Sequence, residues 1–445
     1  MSPSPEASPP SPWLRRIVLF LSGQTVSLFG SMLVQYAIFW YLTIEYRSGA
    51  IIALAAIFGF LPQALVSVFG GVWADRHNRK LLIIGSDAAI AVTTLALAVL
   101  MMSGVDAVWL IFLTMAIRSA GAGIQMPAVS ALIPQLVPTR HLLRVNGVNQ
   151  SIQSAMALLT PAVAGALYAW AASGPGGPAQ ALVPLFFVDV VTAAIGIGLV
   201  ALIPVAAVMR AGGHVTYFAD LAEGVRYVAR HAFVRWLLVL FAIVFVLTVA
   251  PTNLSPLMAV RSFDAGPQQN VVNLALLQIA ISVGMILGGA LVASVFSSRS
   301  RIAMISVSAL VFAGLAVALG LSPNIWFFLG CMFLFGLAVP FFMTPAMTLL
   351  QETVEPDRQG RVFGFVGIVN AVAMPVGMAV FGPLADHVSI QVLLVAAGVL
   401  TALVVACALL LPPGRRAVAA ARAVADASPA GGAEAMRADA VRAGS

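Results

Sequence analysis

The chain has 445 residues, 61 % of them apolar and 9 % charged, with a mean hydropathy of +1.02, which leaves too little polar surface for a soluble domain of ordinary composition. Apolar runs of about 20 residues, enough to cross a bilayer, follow one another almost end to end, while the short alternating segments of a membrane β-barrel do not occur. The net charge is +7, yet the cations lie in alternate loops instead of forming one patch, which excludes a nucleic-acid partner.

Residues 1–13, MSPSPEASPPSPW, are Pro/Ser-rich and predict a disordered tail. Apolar runs separated by charges, Pro or Gly then predict twelve helices at about 16–44, 50–73, 81–103, 107–133, 144–171, 181–209, 233–260, 268–296, 301–321, 325–352, 361–386 and 389–411. The first is too long for the apolar core of a signal peptide and lacks a small-residue cleavage site, so it is read as retained. The expected organisation is an all-α polytopic membrane protein. It has an N-terminal six-helix half (14–209), a linker (210–232), a C-terminal six-helix half (233–412) and an Ala-rich disordered tail (413–445).

The termini and every second loop hold twenty of the cations, among them Arg15, Arg16, Arg76, Arg79, Lys80, Arg140 and Arg144; the opposite loops hold only Arg47 and Arg261, and Arg118 falls inside a helix. By the positive-inside rule both termini are expected in the cytoplasm. In the linker, Phe218, Leu221, Val225 and Val228 share one helical face, so an amphipathic helix along the cytoplasmic surface is predicted, acting as a tether. Cys331 and Cys407 each sit inside an apolar run, as small core residues do. His77, His141, His214, His231 and His387 lack HxxxH spacing, so no metal site is expected.

An offset of 218 residues carries Gly70 and Gly71 onto Gly288 and Gly289, Pro127 onto Pro345, Pro138 onto Pro356, and Arg140 onto Arg358. Five matches in one register, each at the same place relative to a helix end, indicate that helices 7–12 copy helices 1–6. Two such halves are an arrangement of transporters that rock about a midplane site. The copies differ at one point of interest: Asp75 in GGVWADRHNRK becomes Ala293 in GGALVASVFSSRSR.

Gly71, Asp75, Arg76, Arg79 and Lys80 fit a signature between helices 2 and 3, G-x-x-x-D-[RK]-x-G-[RK]-[RK], with Asn78 at its second glycine. Asn tolerates the left-handed conformation better than most residues. In this signature the chain resembles the major facilitator superfamily. The resemblance implies twelve helices in two pseudo-symmetric halves, a transport activity, and a gate at these five residues in which Asp75 faces the start of helix 11 near Gly360 and Arg361. A carboxylate there would meet the positive end of a helix dipole. GQTVSLFGSMLVQYAIFWYL (23–42), Leu61–Gln63 and PAVSALIPQLVP (127–138) are similar to the macrolide-efflux branch of drug:proton antiporters, some of whose relatives export siderophores. The likeness covers helices 1–6 well and thins to EPDRQGRVFG (355–364) in the second half.

Asp87, Arg118 and Asp189 lie within predicted helices 3, 4 and 6. An ionised side chain costs roughly 2.5 to 3.5 kcal/mol at a helix centre, so each needs a partner or a wet cavity. Either aspartate is a candidate proton carrier, and either is a candidate structural ion pair with Arg118. RSAGAG (118–123) resembles the helix 4 motif with which related antiporters assist proton transfer. Gln24, Ser27, Ser31 and Gln35 form a polar stripe on helix 1, and Asn146, Asn149, Gln153 and Thr160 form another on helix 5. Such stripes line a cavity or hydrogen-bond helices together. Gln24, Ser31, Gln35, Tyr36, Asn149 and Gln153 are therefore the substrate-cavity candidates, with Tyr36 and Trp40 available to stack on an apolar substrate. LTPAVAG (159–165) resembles the antiporter motif G-P-x-x-G-G, and PTNLSP (251–256) predicts a break in helix 7 because two prolines each remove a helix hydrogen bond.

The expected function is secondary active export of lipophilic, macrolide-like molecules by a monomer in the bacterial cytoplasmic membrane, through alternating access and proton antiport. No enzyme activity and no cofactor is expected, the proton gradient being the energy source; the G-x-x-x-x-G-K-[ST] loop of ATP-driven systems is missing from the chain. A siderophore or metabolite exporter of the same fold is the nearest alternative. A membrane receptor or lipid-modifying protein is the alternative from another class.

Overall fold

The computed structural model describes residues 12–174, 177–204, 226, 230–294, 301–354 and 356–410. Helix is the only regular structure among them. The first six long helices are α1 (Pro12–Tyr46), α2 (Gly49–Arg76), α3 (Arg79–Met102), α4 (Val108–Leu136), α5 (Leu142–Ala172) and α6 (Val183–Ala201). Then follow α7 (Ala232–Val249, a π segment Ala250–Leu254, and Ser255–Ser262), α8 (Pro267–Ser294), α9 (Arg301–Gly320), α10 (Ile325–Thr353), α11 (Pro356–His387) and α12 (Ile390–Leu410). Among the described residues eleven helices are long and apolar enough to span a bilayer; α11, with 32 residues, is the twelfth long helix. A one-turn helix, Gly177–Gln180, precedes α6.

Several boundaries differ from expectation for identifiable reasons. Pro12 and Trp13, placed above in the tail, belong to α1, where proline suits a first turn whose N–H groups have no partner; Trp13 stacks on His141 with ring centroids 4.7 Å apart. Helix α6 ends at Ala201 instead of continuing to 209, because Pro204 disfavours helical backbone before it. Asn78 is not left-handed: at φ −65° and ψ 111° it is the N-cap of α3, its side chain accepting from the Lys80 and Leu81 N–H groups. Helix α11 begins at Pro356 and not at 361. Helix α7 is not broken at PTNLSP; it widens into one π turn and continues. The linker's apolar face and the C-terminal tail lie outside the described residues.

The chain forms two compact units. One holds α1 to α6 with Ala259–Ile279; the other holds α7 as far as Met258 and the helices from Ala280 onward. In the first, α2 packs on α4, α1 on α5 and α6, and α3 on α4 and α6. In the second, α7 packs on α11 and α12, and α9 on α10 and α12, while α8 meets α10 through Gly284 and Gly288. Adding six to each helix number converts one set of pairs into the other. Helices α2 and α8 have bounds 218 residues apart at both ends. The repeat glycines do the same work in each: a Cβ on Gly70 would come within 2.5 Å of the Gly123 carbonyl oxygen, and one on Gly288 would strike the backbone of Leu337. Without side chains there, helix backbones approach directly, which is how helices associate in lipid.

Candidate functional site

Gln24, Ser27 and Ser31 of the polar stripe on α1 turn toward α3, α4 and α6. At one level Ser27 Oγ donates to Asp87 Oδ1 at 3.0 Å, and Gln125 Nε2 of α4 donates to the same oxygen at 2.7 Å. The second oxygen, Oδ2, is buried and has no hydrogen-bond partner among the described residues, and the same holds for Gln24 Nε2. One helical turn along α1, Ser31 Oγ donates to Asp189 Oδ1 at 3.2 Å. Arg118 closes an ion pair with Asp189 Oδ2, donates to Thr94 Oγ1, and reaches the Ser31 carbonyl at 3.2 Å.

The two acids thus have different surroundings, although Asp87 and Asp189 are only 2 % and 0 % exposed. Asp189 has a cation and hydroxyl donors, which a buried ion pair requires if its attraction is to offset desolvation. Asp87 has two neutral donors, both on one oxygen, and no ion pair among the described residues. Gly30 makes the Asp189 level possible: a Cβ there would stand 2.9 Å from the Asp189 Cα and strike the Thr192 hydroxyl. Helices α1 and α6 also meet at Gly23 and Gly196, each under the other's carbonyl oxygen.

The turn between α2 and α3 is a set of cross-braces. Arg79 Nε donates to the Ala74 carbonyl at 2.8 Å and Nη1 to the Ala131 carbonyl at 2.7 Å, joining α2 to α4. Lys80 Nζ donates to the carbonyls of Ala201 and Ile203 at 2.7 and 2.9 Å, placing a cation at the negative end of α6 where helix carbonyls lack partners. Arg76 is exposed. The side chains of Asp75 and Arg361 lie outside what the structure describes, and so does the gate contact expected between Asp75 and the start of α11.

Among the cavity candidates, Gln24 and Ser31 belong to the two acid levels. Gln35 faces α2, its Nε2 standing 3.3 Å from a Cβ placed on Gly59, and the Tyr36 ring lies 5.7 Å from Trp40 at a 36° tilt. Asn149 is half-buried and Gln153 exposed on α5; no hydrogen bond among the described residues joins Gln35, Asn149 or Gln153 to either acid. The small residues of LTPAVAG serve close packing: Thr160, Pro161, Ala164 and Gly165 are buried, and a Cβ on Gly165 would stand 3.0 Å from that of Ala275.

Thr94 and Gln125 are absent from the candidates above, and the sequence held a signal for both. Thr94 lies seven residues after Asp87 and Gln125 seven after Arg118, two helical turns along the same face.

The family model described as Major Facilitator Superfamily matches residues 20–375, with an overlapping second match over 289–441. The chain is similar to Macrolide efflux protein A of Streptococcus pyogenes, 30 % identical over 388 residues that cover 85 % of this chain and 91 % of that one. It is similar also to Macrolide efflux protein A of Enterococcus faecalis, 30 % identical over 338 residues, 74 % of this chain and 99 % of that one. The solved structure of the nucleoside transporter NupG superposes with a TM-score of 0.68 at 14 % identity, covering 89 % of this chain and 98 % of that chain. Twelve long helices in two matching sets, the turn after α2 and these relatives agree, and the chain belongs to the Major Facilitator Superfamily, as a multi-span membrane transporter and not an enzyme.

Proposed function

We propose that this transporter exports lipophilic, macrolide-like small molecules in exchange for protons, and that Asp87 is the proton-binding group. The name of the two relatives at 30 % identity supports the substrate class. The coupling rests on one observation: Asp87 Oδ2 is buried and unpartnered while Asp189 is ion-paired to Arg118. A proton joins Asp87 at Oδ2 without displacing either existing donor. Hydrogen bonds to an ionised acceptor are roughly twice as strong as neutral ones, so protonation weakens the grip of Ser27 on α1 and Gln125 on α4. That difference in contact strength is what biases inward-facing against outward-facing states. Asp189 and Arg118 hold α4 and α6 together in both states. In this reading a monomer works in the bacterial cytoplasmic membrane with both termini cytoplasmic, Asp75 acts in the gate, and the proton gradient is the energy source without a cofactor.

The test is macrolide accumulation in cells expressing the chain, with and without a protonophore. Expression should lower accumulation, the protonophore should restore it, and Asp87→Asn should abolish the protonophore-sensitive part at equal membrane abundance. Unchanged accumulation across a macrolide panel sinks the substrate class, and full proton-driven export by Asp87→Asn sinks the carrier.

A further inference from the structure

The second unit contains a cavity of about 250 Å³ that the acid network does not touch. Its wall is built from α7 at and before the π turn, from α9, from α10 and from α11. Phe245, Phe312, Phe335 and Phe342 supply the apolar side, with Met343 and Met374 between them. The rings pack on one another, Phe312 lying 4.8 Å from Phe335 and 5.8 Å from Phe342. Its floor is formed by buried side chains, among them Phe312, Phe335, Phe342 and Ala373. Ala373 stands where a larger apolar residue would narrow the space.

The polar edge comes from the π turn, which contributes Thr248, Thr252 and Asn253. Every donor on this edge is already used within α7. Thr248 Oγ1 donates to the Phe245 carbonyl at 2.9 Å, and Thr252 Oγ1 to the Thr248 carbonyl at 2.7 Å. Asn253 Nδ2 donates to the Val249 carbonyl at 3.3 Å and to Thr252 Oγ1 at 2.9 Å. A backbone carbonyl only accepts, so the Asn253 amide is oriented by that contact and its Oδ1 is the atom left over. The edge therefore offers acceptors alone: lone pairs of two hydroxyls and one amide oxygen. No charged side chain lines the cavity.

We propose that this cavity is a binding site for a neutral apolar group, ring-bearing or branched, that also carries a hydroxyl or N–H donor. Aromatic walls and methionine adapt to such shapes at little cost. The donor of the ligand meets the acceptor edge, and a bound ligand lacking it covers that edge and leaves it unpaired, which discriminates between otherwise similar ligands. At this volume the site holds one portion of a macrolide-sized molecule, so it deepens the export reading and rests on it for the identity of the natural ligand.

The experiment uses the purified full-length protein in detergent micelles, equilibrium dialysis, and two probes of nearly equal shape, α-naphthol and its methyl ether. The protein should bind α-naphthol roughly tenfold more tightly than the ether, the worth of one well-made hydrogen bond. Ala373→Phe should reduce both to the partition into empty micelles. Thr248→Val, which keeps the shape, should narrow the difference between the probes. Equal affinity for the two probes overturns the proposal without recourse to any variant, as does unaltered α-naphthol binding by a folded Ala373→Phe protein. No transport is read here, so loss of macrolide export with this pattern intact removes the export reading alone.

Discussion

The two units share a helix arrangement and oppose each other in chemistry at equivalent positions. In the register of 218 residues, Ser27 corresponds to Phe245, Ser31 to Val249, Thr94 to Phe312 and Gln125 to Met343. These four polar residues, which bond the two acids or one another, thus have apolar residues of the cavity wall as their counterparts. Asp87 corresponds to Ile305 and Arg118 to Gly336. What stays constant is the backbone-to-backbone packing, as at Gly70 and Gly288. Buried polar groups call for partners, and in the first unit Ser27, Ser31, Thr94, Arg118 and Gln125 supply them to the two acids, Asp87 Oδ2 excepted. Phenylalanine rings make no such demand, and the second unit can leave space. One scaffold, copied, thus holds a buried acid network in the first unit and an aromatic-lined cavity in the second.

The sharpest way to break this contrast is Arg118→Ala. Removing one member of a buried ion pair leaves an uncompensated charge and should destabilise the protein by about 3 to 5 kcal/mol, read as a lowered melting temperature in micelles. Arg118→Met combined with Asp189→Leu should recover most of that loss, because an apolar pair of similar volume needs no compensation. A single variant as stable as the parent would mean that the ion pair does not hold the first unit together. The shared part of the comparison is tested by Gly70→Ala and Gly288→Ala. Each places a methyl against a neighbouring helix backbone, and each should cost about 1 to 3 kcal/mol by overpacking. Tolerance at one glycine and not at the other would show that the repeat is preserved in sequence without a common packing role.

Much of this was legible in the sequence, because it rests on runs and registers. Apolar length located the twelve helices, and five matches at one offset paired α2 with α8. The signature after α2 identified the superfamily. Ends were less legible, since they depend on single residues: Pro204 stopping α6, or Asn78 capping α3. The acid site was half legible. Periodicity gave the stripe on α1 but not the side it faces, and it could not say which aspartate Arg118 chooses, because that depends on how closely α6 approaches α1 at Gly30. The cavity was not legible at all. Its wall combines residues from four helices that no periodicity links, and its acceptor edge follows from a π turn which two prolines alone suggest only as a break.

A smaller contrast lies in the loops at the other end of α2 and α8. The loop between α1 and α2 carries Arg47 and its copy between α7 and α8 carries Asp264, and these opposite charges pair at 2.8 Å. Arg261 Nε further donates to the Arg47 carbonyl, also at 2.8 Å. The hydrogen bond from Arg47, then those from Asn270 and the Gly266 N–H, lower the Asp264 carboxyl to about 2. Because the folded-state value is lowered, the contribution of this contact is complete above the ordinary aspartate range near about 3.9 and is lost as the pH falls through about 2. Arg47→Ala should move the titration midpoint of Asp264 upward toward the ordinary range, read from its side-chain carboxyl NMR signal, while the melting temperature at neutral pH changes little because exposed ion pairs contribute little. An unmoved midpoint would assign the lowered value to Asn270 of α8 and the Gly266 N–H, and the first loop would then take no part in holding its own copy.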